Sequence, residues 1–218
     1  MTAVRGPDVP GTTIVSGTDL DDLGAAVAVR LAESGSDVAL ICPASPACAD
    51  AMRRLSELPV RSLAIDADVD DPDAVAAAME RVCSALGDPG VLVTVVRPAA
   101  PGPLCELSDA AWDESVERQL RGLFLMTRAT MEPMTRAGAG RVVTVTRAEG
   151  AVRAALGGFT RTAALELAPF GVTTNLVTSA PGDPGDPERV AALVTLLVGP
   201  AAAAVSGQVI DVGAVPAS

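Results

Sequence analysis

Residues 141–172, RVVTVTRAEGAVRAALGGFTRTAALELAPFGV, decide the fold of this chain. The stretch opens with the β-branched run VVTV at 142–145 and closes with an Ala/Leu-rich segment that ends at Pro169, Phe170 and Gly171. The β-branched run predicts a buried strand, and the Ala/Leu-rich segment predicts a long helix after a turn. Such a strand followed by a helix is the building unit of α/β proteins.

The same alternation of strand and helix runs along the rest of the chain. Strands are predicted at 12–16, 37–42, 60–65, 91–96, 142–145, 172–177 and 207–212, and helices at 21–33, 45–58, 71–86, 108–134, 150–167 and 188–197. This alternation predicts a parallel sheet that helices cover on both faces. Because no repeat or domain boundary interrupts it, we predict a single domain over 1–218, with 1–11 as a flexible N-terminal tail.

Composition limits the partners and the compartment. The 218 residues carry a formal net charge of −11 and are 49% apolar. Since no Lys/Arg-rich helix or basic patch is present, the sequence argues against nucleic acid and anionic membranes as partners. No apolar run reaches the length of a membrane span, and the N-terminal MTAVRGPDVPG lacks the pattern of a signal peptide. We therefore expect a cytoplasmic protein.

Three residue types that often carry chemistry are missing from this chain. It contains no His, no Tyr and no Lys, so that all 16 of its cationic side chains are Arg. This excludes a Ser–His or Cys–His pair, a Schiff-base lysine and a tyrosine acid within the chain. Asp, Glu and Cys remain for acid–base work. The four cysteines are scattered at 42, 48, 83 and 105, so we expect reduced thiols and no metal site.

The 141–172 stretch resembles the catalytic segment of the short-chain dehydrogenase/reductase family, and the resemblance extends from Ile14 to Val212. Its helical half, AALGGFTRTAALELAPFGV, matches the family sequence almost letter for letter. The resemblance implies a Rossmann-like, doubly wound parallel sheet of seven strands in the order 3-2-1-4-5-6-7. It also implies a ketoreductase-like scaffold.

The catalytic positions of the family hold other residues here. The family uses a tyrosine acid, a lysine that lowers the pKa of that tyrosine, a serine that orients the carbonyl and an asparagine that holds a water relay. By the resemblance, these four positions fall on Glu149, on Arg153, on Thr146 or Arg147, and on Gln119. We expect Arg153 to pair with Glu149 one helical turn away and to form a neutral polar patch.

The cofactor turn also departs from the family pattern TGxxxGxG. Residues 16–24 read SGTDLDDLG, which is one residue longer and places Asp22 where the middle glycine belongs. Gly17 and Gly24 are the vestigial glycines, and Asp68 matches an adenine-contacting Asp of the family. The carboxylates of the turn are natural helix caps. They would also repel a phosphate by roughly 1–4 kcal/mol each at ~4 Å.

The end of the second strand gives the same expectation. The family carries there an Asp for the ribose or an Arg for a 2′-phosphate, whereas this chain carries Cys42 and Pro43. From the turn and this strand end together, we expect no nicotinamide cofactor. We therefore expect the dissociation constant for NADH or NADPH to be above about 100 μM.

These departures lead to two functional hypotheses. The first is a pseudo-ketoreductase, a non-catalytic subunit that assembles with itself or with an active relative of the family through helices 108–134 and 150–167. Gly157 and Gly158 support a close helix contact, because each interior Gly costs roughly 1 kcal/mol relative to Ala. The alternative is a cofactor-independent, non-redox enzyme (a lyase, isomerase or cyclase) that uses Glu149 in the old cleft on a carbonyl or acyl substrate.

Overall fold

The computed structural model describes residues 11–97, 106, 108–113, 119–179 and 186–213. The strands are β1 (Thr12–Gly17), β2 (Val38–Cys42), β3 (Ser62–Asp66), β4 (Pro89–Val96), β5 (Gly140–Thr146), β6 (Val172–Ser179) and β7 (Val209–Val212). The helices are α1 (Asp22–Glu33), α2 (Pro46–Leu55), α3 (Pro72–Ala85), α4 (Asp109–Asp113), α5 (Gln119–Ala137), α6 (Gly150–Leu167) and α7 (Asp186–Val198).

All seven strands form one parallel sheet in the order β3-β2-β1-β4-β5-β6-β7, which confirms the predicted fold. The central strands β1, β4, β5 and β6 are buried along their whole length. Burial on both faces agrees with the predominance of Val, Ile and Thr in these four strands. Because the chain crosses from β3 to the far side of β1, the strand order reverses between β1 and β4.

The core lies on both faces of the sheet. Val15, Val93 and Val143 pack with α1, α2 and α7 on one face. Their neighbours Ile14 and Leu92 pack with α3 and α5 on the other face. Successive side chains of a strand point to opposite faces, so each strand contributes to both layers.

The helix predicted at 108–134 is described in two parts. The single helix predicted at 108–134 is observed as α4 and α5, with residues 114–118 outside the described part of the chain. Ser108 accepts a hydrogen bond from the amide of Ala111, as a cap should, but α4 buries no side chain. Among the described residues of this segment, fully buried apolar side chains are found in α5, with Leu123 and Met126.

Two further sequence predictions concern residues beyond this description. Residues 1–10 of the predicted tail and Cys105 lie outside the described residues. Within the described ranges, no helix has the length and apolarity needed to cross a membrane.

Gly171, which connects α6 to β6, provides a stability test of this fold. Its φ is 72°, and a Cβ added there would lie 2.2 Å from the carbonyl oxygen of Gly138. Gly35 also has a positive φ, 95°, but an added Cβ would meet nothing within 4 Å. We expect Gly35→Ala to lower the free energy of unfolding by about 1–2 kcal/mol through backbone strain alone, and Gly171→Ala to lower it at least about twice as much.

Urea denaturation of both variants measures this difference. Equal losses for the two variants would show that the backbone around Gly138 relaxes freely and that the α6–β6 connection is not tightly packed.

Candidate active site at the carboxyl edge of the sheet

A crevice opens where the strand order reverses between β1 and β4. Its lining includes Gly17 and Thr18 after β1, Thr94 and Arg97 at the end of β4, and Gly122 of α5. In open α/β sheets, ligands bind at this point because the two flanking connections leave in opposite directions.

Two glycines of the first turn and α1 are packed tightly against neighbouring protein atoms. A Cβ on Gly17 would lie 2.7 Å from the carbonyl oxygen of Val95, and a Cβ on Gly24 would lie 2.5 Å from a δ-carbon of Leu20. Both distances are shorter than real Cβ contacts. Glycine at these two positions is therefore required by internal packing, because a side chain would clash with β4 at Gly17 or with Leu20 at Gly24.

The first turn caps α1 with its own carboxylates, as predicted. Asp21 is the N-cap residue, and its Oδ1 accepts from the amides of Leu23 at 3.0 Å and Gly24 at 3.1 Å. Asp22 Oδ1 accepts from the Leu23 amide as well. Burial raises the pKa of Asp21 in spite of these hydrogen bonds and of the nearby Arg147. The amides that would bind a phosphate in this position are thus occupied by the protein itself.

Arg147 joins this turn to the opposite side of the cleft. Its Nη1 lies 2.8 Å from Asp22 Oδ1 and 3.4 Å from Asp21 Oδ2, and its Nε donates to Asp186 Oδ2 at 3.1 Å. The Arg147 side chain is 15% exposed and the Asp186 side chain 1%. Ser179 donates a further hydrogen bond to Asp186. The Arg147 hydrogen bond is the main reason that the pKa of Asp22 is lowered, and the same bond raises the pKa of Arg147.

Thr146 does not occupy the role of the family serine. Its Oγ1 donates to the carbonyl oxygen of Val96 at 2.8 Å and accepts from the amide of Ala148 at 2.9 Å, and the residue is fully buried. Because its hydroxyl is used inside the protein, Thr146 ties β5 to β4 rather than orienting a ligand. The interpretation of Thr146 as a cleft residue is corrected accordingly.

The predicted pair of Glu149 with Arg153 is not formed. Arg153 Nη2 instead donates to both carboxylate oxygens of Asp211 in β7, at 2.7 and 2.6 Å. Thr178 also donates to Asp211 and is the largest cause of its lowered pKa, followed by the hydrogen bond from Arg153. The predicted spacing assumed a helical Glu149, whereas Glu149 precedes the helix with extended backbone angles of φ −119° and ψ 177°. Glu149 is the N-cap residue of α6, but its exposed side chain makes no capping hydrogen bond.

The remaining predicted residues lie at the end of β2, after β3 and at the start of α5. Gln119 begins α5, and its side chain lies outside the described residues. Asp68 follows β3 and accepts a hydrogen bond from the amide of Asp70. Cys42 ends β2 as predicted, is buried, and has a pKa raised chiefly by that burial. In the described ranges, no group of three or more His, Cys, Asp or Glu residues could hold a metal ion.

The parallel sheet in this order, with a glycine-lined crevice at its reversal point, defines a Rossmann-like nucleotide-binding class of α/β protein. The family model described as short chain dehydrogenase matches residues 13–184. The chain therefore belongs to the short-chain dehydrogenase family.

Two curated relatives illustrate the similarity. The chain is 39% identical over 174 residues to the short-chain dehydrogenase/reductase family member NovK of Streptomyces niveus, covering 73% of this chain and 70% of that protein. It is 36% identical over 172 residues to the cis-4-hydroxycyclohexanecarboxylate dehydrogenase of Sinomonas cyclohexanicum, covering 73% and 68% of the two chains.

Solved structures share the fold over nearly the whole chain. A variant of actinorhodin polyketide ketoreductase with NADPH superimposes with a TM-score of 0.81 at 24% identity, covering 93% of this chain and 96% of that one. NAD⁺-bound xylitol dehydrogenase superimposes with a TM-score of 0.84 at 20% identity, covering 94% and 98%. At these identities the superpositions establish the fold.

These findings contradict two expectations from the sequence. The expectation of a non-catalytic pseudo-ketoreductase is contradicted because the relatives are named as dehydrogenases and reductases. The expectation that no nicotinamide cofactor binds is contradicted because members of this fold hold NADPH and NAD⁺. The cofactor-independent alternative depended on the second expectation and is withdrawn with it. The sequence argument treated the carboxylates of the turn as unpaired, whereas Arg147 neutralises part of their charge.

A double-mutant cycle on Asp22 and Arg147 tests this neutralisation. We expect a coupling of about 0.5–1 kcal/mol in the free energy of unfolding at pH 7, because the Asp22 side chain is partly exposed. The folded-state pKa of Asp22 is below its ordinary value of 3.8, so the unfolded state takes up the proton first. The coupling should therefore be complete above about pH 3.8 and decline only at lower pH.

The exposed pair Arg136–Asp88, with its Nη2 3.4 Å from the carboxylate, is the control and should give a smaller coupling. Coupling between Asp22 and Arg147 that is no larger than in this control would contradict the network described above.

Proposed function

We propose that the chain is a nicotinamide-dependent oxidoreductase that acts on a carbonyl or hydroxyl group of a small substrate. The observation that carries this proposal is the crevice at the reversal point between β1 and β4, which Gly17, Thr18 and Gly122 help to line. The relative named as a dehydrogenase and the neighbours that hold NADPH and NAD⁺ support the choice of ligand.

Different residues around the crevice would contact different parts of the dinucleotide. Gly17 and Thr18 would contact it where the turn leaves β1, and Asp68 and Val69 would contact the adenine, as the family resemblance implies. When bound, the nicotinamide supplies or accepts the hydride.

Reduction of a carbonyl also requires a proton on the oxygen, and oxidation of an alcohol requires its removal. With no His, Tyr or Lys in the chain, a carboxyl group is the available side chain for this transfer. We assign it to Glu149, which is exposed at the start of α6, makes no capping hydrogen bond, and is not held by Arg153. Its carboxyl would donate the proton to the carbonyl oxygen during reduction, and its carboxylate would accept it during oxidation. Solvent exposure allows Glu149 to exchange that proton with water.

The expected result is a separation of binding from turnover. Wild type should bind NADH or NADPH with a dissociation constant below about 100 μM. Glu149→Gln should bind as tightly but lower turnover about 100-fold on a panel of ketones and secondary alcohols, because the proton donor is removed. Calorimetric titration and the absorbance of the reduced nicotinamide measure the two quantities.

Matched controls separate dinucleotide binding in the crevice from proton transfer at Glu149. Thr18→Trp should fill the crevice and weaken binding at least about tenfold, whereas Thr135→Trp at the opposite end of α5 should not change it. Glu132→Gln on the exposed side of α5 is the control for Glu149→Gln. Wild type that binds neither dinucleotide would overturn the proposed function. Full turnover in Glu149→Gln would overturn only the assignment of the proton donor.

We also propose that a second copy of this chain packs against α5 and α6. A groove with an empty volume of about 530 Å³ lies between these helices, and Phe124, Met131, Phe159 and Leu167 supply much of its apolar lining. Phe124 is 48% exposed beside this groove, with the Arg128 guanidinium 5.1 Å from the ring centroid. A projecting ring next to an apolar groove favours a two-fold partner, since each copy can offer its ring to the groove of the other.

Phe124→Glu tests this assembly. We expect the variant to lower the mass measured by light scattering from that of an oligomer to that of a monomer, because a carboxylate cannot enter an apolar groove without a large desolvation penalty. Leu196→Glu on α7 is the control, since Leu196 is also 48% exposed. A monomeric wild type would rule out the second copy, and assembly only after mixing with another member of the family would identify a heteromer instead.

We further propose that the protein resides in the cytoplasm. Cys42, Cys48 and Cys83 are free thiols, and the first two are buried. Unpaired cysteines are usual in reducing compartments, where disulfides are rare.

A further inference from the structure

Arg147 is a partly buried cation with two kinds of carboxylate partner. Asp186 is held independently of Arg147, because Ser179 donates to it at 2.8 Å and its side chain is 1% exposed. Asp21 is held by the amides of Leu23 and Gly24. Asp22 differs, since its side chain is 63% exposed, and both of its oxygens face the guanidinium, at 2.8 and 3.3 Å.

We propose that Arg147 binds the pyrophosphate of the dinucleotide, which takes the place of Asp22 on the guanidinium. The proposal rests on the proposed function, because it presumes a nicotinamide dinucleotide in the crevice. Arginine binds phosphate oxygens through two parallel hydrogen bonds, the geometry in which it now holds Asp22. Asp22 can leave because most of its side chain is already in water.

The charges around the turn explain why a cation is needed here. Asp21, Asp22 and Asp186 carry three negative charges against the single positive charge of Arg147. Asp21 already occupies two of the amides at the start of α1, so those amides cannot neutralise a phosphate. Arg97, which lines the crevice, pairs with Asp19 at 3.1 Å, whereas Arg147 is the cation paired with Asp21 and Asp22 at the start of α1. We expect Arg147 to offset the charge of a pyrophosphate that lies there. Removing Asp22 frees Arg147, whereas removing Arg147 leaves the carboxylates without compensation.

This argument predicts opposite effects of two substitutions. Asp22→Asn should tighten the binding of NADH, or of NADPH if that is the dinucleotide bound, by about tenfold, because Arg147 no longer has to exchange a carboxylate for the ligand. Arg147→Gln should weaken binding by about tenfold or more. If Arg147 were instead a latch that closes the crevice, Arg147→Gln would tighten binding, and this outcome would overturn the proposal.

The experiment is a calorimetric titration of the full chain and its variants with three probes: the dinucleotide, inorganic pyrophosphate and adenosine. Both phosphate-containing probes should follow the order Asp22→Asn, wild type, Arg147→Gln from tightest to weakest, whereas adenosine should bind all three alike. Arg136→Gln removes an ion pair at the opposite edge of the sheet and should match wild type with every probe. Thermal unfolding of each variant checks that it is folded.

Asp22→Asn keeps the proposal testable if Arg147→Gln does not fold, since it leaves Asp186 paired. Dinucleotide binding that is the same in wild type, Asp22→Asn and Arg147→Gln would overturn the role of Arg147 and leave the proposed function intact. Dinucleotide binding by none of the proteins would overturn both.

Discussion

Burial of the central strands on both faces is the constraint on which the rest of this structure depends. A parallel sheet covered by helices on both sides requires strands that can be buried on both faces, and β1, β4, β5 and β6 meet this requirement along their full lengths. The crossover from β3 to β4 then reverses the winding direction, which opens the crevice at the carboxyl edge. The position of the site is therefore a consequence of core packing, independent of the side chains that line it.

The fold could be predicted because its signals are local and repeated. Each strand and the helix that follows it have a recognisable pattern within a short stretch of sequence. The match of the α6 region to a family motif then specifies the strand order. The capping role of Asp21 was equally predictable, because a cap contacts amides only two and three residues away.

The side-chain partners in the site could not be predicted in the same way. Arg147 is separated from Asp22 by 125 residues and from Asp186 by 39, and Arg153 reaches Asp211 across 58 residues. The sequence predicted an ion pair between Arg153 and Glu149 because these residues are neighbours along the chain. For the same reason, the carboxylates of the first turn were expected to be unpaired, whereas Arg147 pairs with Asp21 and Asp22. The sequence did contain one usable signal, because the arginine that follows β5 must lie at the same sheet edge as the turn that follows β1.

The affinity of the cleft for an anion depends on which carboxylates or phosphates pair with Arg147. In a turn that binds phosphate through backbone amides, the ligand competes only with water. In the complex proposed for this chain, the ligand would compete with carboxylates that are covalently part of the protein, and their effective concentration is high. Affinity then depends on the difference between two arginine contacts, one to Asp22 and one to a phosphate, rather than on the strength of either contact alone. A pyrophosphate, with its higher charge and several oxygens, can win that competition only while the guanidinium is present. In the proposed complex, the charge of Arg147 distinguishes an acidic, anion-repelling turn from a site that accepts a dinucleotide.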